Sequence, residues 1–118
     1  MTGQPTLWSV LDRYEEPLDD DGRRRLFAQW LAVNRGAVET MVGWARDIAA
    51  SGEPVAVQRL FERARWEQGM AIVPVTYTDT GGRLHRYRIN HNDRALFGRW
   101  LQERHPEMRV TMRRSRFD

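Results

Sequence analysis

Apolar positions along this chain keep helical spacing at both ends and switch to alternation in between. Over 22–33, Leu26, Phe27, Trp30 and Leu31 share one helical face, and over 92–105 Leu96, Phe97, Trp100 and Leu101 do the same. The strings Leu-Phe-Ala-Gln-Trp-Leu and Leu-Phe-Gly-Arg-Trp-Leu are too short for a duplication and predict two helices with matching packing duties. The helix predicted over 35–51 carries Ala37, Val38, Met41, Val42, Ala45, Ile48 and Ala49 in one stripe, with Trp44 at its margin. Asn34 is placed to cap it and Gly52 to close it in the left-handed conformation. At the amino end, Leu7, Val10, Leu11 and Tyr14 predict a helix over 6–16 that Pro17 ends. Asp19-Asp20-Asp21 then stands where carboxylates favour a helix start; capping explains this acidic run better than a metal site does.

After Gly52, Val55-Ala56-Val57 suits a short extended piece. A helix over 56–68 then turns Val57, Leu60, Phe61 and Ala64 inward, and Arg59, Arg63 and Trp66 outward. That outer face can meet phosphates through guanidinium groups and stack through the indole. The plainer alternative pairs Arg63 with Glu67 and Glu62 with Arg65, and folds Trp66 under the next element. Period two follows: Val73, Val75 and Tyr77 alternate within 71–78, Asp79-Thr80-Gly81-Gly82 supplies a turn, and His85, Tyr87 and Ile89 alternate with Leu84, Arg86 and Arg88. Pro74 cannot donate to a ladder, which predicts an edge strand or a bulge there. Arginines at the turn and on the outer face, Arg83, Arg86 and Arg88, suit a ribbon that reaches a nucleic-acid backbone; the alternative is a charged edge that prevents self-pairing.

Helix, glycine-containing turn, helix and hairpin is the order of a winged helix-turn-helix. The expectation is therefore a mainly α fold with a β-hairpin (α+β), winged-helix-like, in one domain over 22–106. A leader over 1–21 precedes it and a basic tail over 107–118 follows, in which Val110 and Met112 permit a short strand or a basic arm ordered by a polyanion.

Charge refines this picture. Every one of the 19 basic residues is arginine, a bias that a GC-rich genome produces as readily as a binding role. Their distribution is more telling: six acids face one arginine up to Asp21, whereas eighteen arginines face ten acids from Gly22 onward. An acidic leader before a basic body suits contact with a polyanion, or a leader lying over the basic face. The absence of cysteine excludes disulfides, thiolate chemistry and sulfur-ligated zinc. No apolar run reaches bilayer length and no signal-peptide core is present, so a soluble cytoplasmic protein is expected.

Catalytic signatures do not emerge. His85, His91 and His105 are dispersed over strand, connector and helix end, and no metal-binding His spacing, P-loop, dinucleotide fingerprint or nucleophile elbow occurs. His91-Asn92-Asp93 has the letters of a nuclease motif, but Asn92 is placed as a helix cap. The expectation is no enzyme, no cofactor and no metal.

Asn34, Gly52, Leu60, Glu62 with Arg65-Trp66, Tyr87-Arg88-Ile89-Asn90-His91-Asn92, Arg99 and Pro106 together resemble a family of short uncharacterised bacterial and phage proteins. Its members read Glu-x-x-Arg-Trp and then an aromatic strand running into an Asn-rich exit. The resemblance spans about 27–106. This chain differs in Arg35 where the family favours Pro, in His91 within the Asn run, and in a longer hairpin. The resemblance implies a winged-helix-like fold and a phage or prophage origin. Two functions are expected to compete: double-stranded DNA binding through Arg59, Arg63, Trp66, Arg83, Arg86 and Arg88, and attachment to a host or phage protein without DNA.

Overall fold

The computed structural model describes residues 13–90 and 93–112. Asp19 opens the first helix, α1 (Asp20–Val33), by accepting the Gly22 N–H at 2.6 Å. Helix α2 (Arg35–Ala50) follows after Asn34 alone, and β2 (Val55–Ala56) leads directly into α3 (Val57–Trp66). The hairpin β3 (Val75–Asp79) and β4 (Leu84–Tyr87) precedes α4 (Arg94–Arg104). Two short strands complete the α+β fold: β1 (Arg13–Tyr14) lies parallel beside β3, and β5 (Val110–Thr111) lies parallel beside β2.

The two matched strings do face the centre. Leu26, Phe27, Trp30, Leu96, Phe97 and Leu101 are all buried, and Phe61 of α3 stands between the strings, 6.3 Å from the Trp30 ring and 5.1 Å from that of Phe97. Their indoles have different fates: Trp30 is 1% exposed, whereas Trp100 is only partly covered. Helix α3 packs between α2 and α4, while the hairpin packs on α1. Tyr14 is enclosed there, edge-on to Tyr77, under the Arg25 guanidinium at 4.5 Å, with its hydroxyl accepting from Gln29 at 3.0 Å.

Several expectations are corrected. Residues 13 and 14 form a strand rather than the end of a helix over 6–16, because Tyr14 gains more from sheet pairing and enclosure than an isolated short helix gains; residues 6–12 lie outside the described part. Pro74 precedes the ladder, so β3 needs neither an edge nor a bulge and is the central strand in the order β1-β3-β4. Asn34 makes no side-chain cap. Its amide donates to the carbonyls of Trp30 and Val73, at 3.0 and 2.9 Å, and accepts the Val73 N–H at 2.7 Å.

Near the carboxyl end, the Arg109 guanidinium donates to the Gly52 carbonyl, and Gln102 bonds the backbone of His105, Met108 and Val110. The chain after Pro106 is therefore stitched to the body up to β5. The expected cap Asn92, together with His91 and the arginines at 113, 114 and 116, falls outside the described residues. Gly52 does take the left-handed conformation, φ 84°, at the close of α2.

Candidate nucleic-acid interface

Helix α3 separates its faces sharply. Val57, Leu60 and Ala64 are buried, and Arg59, Arg63 and Trp66 recur at i, i+4 and i+7 on the opposite side. Trp66 is 81% exposed, so it does not fold under the hairpin. The ion pairs that would neutralise this face are not formed either. Glu62 accepts from Gln58 at 3.2 Å instead of meeting Arg65, and Arg63 lies over the Trp44 ring at 4.1 Å instead of reaching Glu67. A guanidinium on an indole keeps its full charge and its outward N–H groups, while the ring restricts its rotation. Arg63 and Arg65 also stand in the last turn, where cations stabilise the negative helix pole. Arg59 forms no ion pair among the described residues.

The ribbon arginines are distributed differently. Arg83 and Arg86 are exposed on the hairpin, whose packing partner is α1, not α3. Arg88, beyond the end of β4, borders a cleft with Phe61, Ile72 and Val73 and so approaches the flank of α3. The structure thus unites Arg59, Arg63 and Trp66, brings Arg88 beside their helix, and leaves Arg83 and Arg86 on a separate support. Trp44 was the participant that sequence reasoning did not assign; its position at the edge of the α2 stripe was the available signal.

The turn of the ribbon is held by its own network. Asp79 accepts the N–H groups of Gly81 and Arg83, at 2.8 and 2.9 Å, and meets His85 Nε2 at 2.7 Å. His85 Nδ1 lies 3.5 Å from Glu16, whose carboxylate is hydrogen-bonded to the Tyr77 hydroxyl. Burial, and then that Glu16 contact, pushes the Tyr77 phenol well above its usual range. The hydrogen bond with His85, reinforced by the Arg83 amide, holds the Asp79 carboxyl below its usual value. A carboxylate with a lowered folded pKa contributes stability that is complete above the unfolded value of about 3.9 and is lost as pH falls through the folded one. An NMR titration is expected to place the Asp79 midpoint below that of an ordinary aspartate, and a His85→Phe variant to bring it back up.

Among the described residues, no cluster of three or more His, Asp or Glu side chains is arranged to hold a metal, and no helix is long and apolar enough to cross a membrane. Comparison with protein-family models, with curated proteins and with solved structures gave no match.

Proposed function

We propose that this chain binds double-stranded DNA through α3, as a small winged-helix-like regulator of phage or prophage type. The observation that carries the reading is the uncompensated outer face of α3, with Arg59, Arg63 and a nearly fully exposed Trp66 on one side of a ten-residue helix. Two arginines a turn apart can neutralise adjacent phosphates, and the indole offers a flat surface to a groove edge or sugar. The order of α2, α3 and the hairpin supports the winged-helix part of the reading. Here, though, the strand before α3 pairs with β5 instead of with the ribbon, so Arg83 and Arg86 serve at most as flanking backbone contacts.

Each phosphate neutralised releases counterions and adds to the salt dependence of binding. An Arg59→Ala, Arg63→Ala double variant is expected to bind random duplex about tenfold or more weakly, with the salt slope smaller by about two. A double variant that melts like the parent and binds duplex undiminished overturns the proposal. The competing reading treats Trp66 as a protein-contact hot spot. It would be supported by an intact chain that fails to bind duplex even at low salt.

A further inference from the structure

A second surface lies on the other flank of α2. Arg35, Glu39, Val42 and Arg46 recur at i, i+4, i+7 and i+11, forming one stripe, and Trp44, which faces α3, is roughly opposite that stripe. The stripe forms one wall of a cleft of about 750 Å³, with α1 and the end of α4 forming the others. Its floor is apolar, made by Leu31, Val38, Val42 and Trp100. Its rim is cationic: Arg104 lies over the Trp100 ring at 5.1 Å, Arg35 is paired with Glu39 at 3.3 Å, and Arg46 is exposed. Arg35 and Glu39 neutralise one another, which leaves Arg46 and Arg104 as the uncompensated charges.

The matched strings sharpen the point. In α1 the tryptophan of the string, Trp30, is sealed in the core, whereas its counterpart in α4, Trp100, is left half-covered at this cleft. The same local sequence therefore meets different surroundings, and the second indole forms part of the cleft floor beneath Arg104.

We infer that the cleft receives an acidic amphipathic helix of a protein partner, at a site separate from the α3 face. Apolar side chains at i, i+3 or i+4 and i+7 of such a helix would fill the floor, and carboxylates beside them would meet Arg46 and Arg104. Charge complementarity selects the acidic sign. The apolar floor of Leu31, Val38, Val42 and Trp100 selects a peptide over a nucleic acid, because a duplex presents mainly phosphate and sugar to a cleft of this kind. The chain would then join a DNA contact on one side of α2 to a protein contact on the other.

The test uses the full chain and a fluorescein-labelled peptide with leucines at i, i+3, i+4 and i+7 and glutamates between them, followed by anisotropy. Saturable binding is expected, weakened about tenfold or more by Arg46→Glu with Arg104→Glu. Binding should be lost with a scrambled peptide of the same composition and unchanged in the Arg59→Ala, Arg63→Ala variant. If the double reversal melts early, Arg46→Glu alone, at an exposed side chain, serves with the same reading. The inference is overturned if the scrambled peptide binds equally, if charge reversal leaves peptide affinity intact, or if the reversal weakens duplex binding as much as peptide binding. Duplex binding and its dependence on Arg59 and Arg63 are scored separately, so either proposal can fail while the other stands.

Discussion

Replacing Asp93 by alanine is expected to cost about 3 kcal/mol of folding stability, the lower end of the range for breaking a buried ion pair. Asp93 is fully buried at the start of α4, and both of its carboxylate oxygens lie 3.3 Å from one guanidinium nitrogen of Arg23 in α1. The Tyr87 phenol sits beside the same carboxylate and is pushed above its usual range, by burial first and by Asp93 second. Truncation would leave the Arg23 cation, whose side chain is only 22% exposed, without its counterion. The lower end applies because that residual exposure lets water recover part of the loss. Urea unfolding should show the shift in midpoint with little change in slope, and thermal melting a decrease of roughly 10 °C. Removing both partners, Arg23→Ala with Asp93→Ala, should cost less than the sum of the single changes, because each single change strands a charge that the double change does not.

The second large effect is expected at Asn34, where alanine should cost about 2 kcal/mol by removing three hydrogen bonds and leaving the part-buried N–H and C=O of Val73 without their partner. One side chain serves both the N–H and the C=O of Val73 as well as the Trp30 carbonyl, and it is 3% exposed. This fastens the irregular run before β3 to the junction of α1 and α2. Aspartate should be no better than alanine, since a carboxylate accepts the Val73 N–H but turns its second oxygen toward two carbonyls. Hydrogen exchange gives a local readout: the Val73 amide should lose protection in both variants, while amides in the middle of α2 change only with global stability. Unchanged protection at Val73 would mean that the clamp is not what orders this run.

Asn34 also shows why a residue can be read correctly as important and wrongly as to its role. An asparagine immediately before a helical stripe has the local signature of a cap, and capping is a short-range matter. Its actual partner is 39 positions away in sequence, and no local pattern announces that distance. The same limit applied to Pro74. Its missing N–H correctly excluded it from a ladder, but a strand beginning one residue later satisfies that constraint and can be central.

What the sequence determined unaided was whatever depends on near neighbours. Spacing of apolar residues located all four helices of the described part, the ribbon with its glycine turn, and the outward face of α3, because 3.6-residue and two-residue periods are local geometry. The tertiary structure decided everything that required distant segments to meet. It recruited Tyr14 and Val110 into strands, set the ribbon against α1 instead of α3, turned Arg63 onto Trp44, and buried one of two matching tryptophans while leaving the other at a cleft. These outcomes rest on which apolar faces compete for the same buried volume, and that competition is settled only when the whole chain packs.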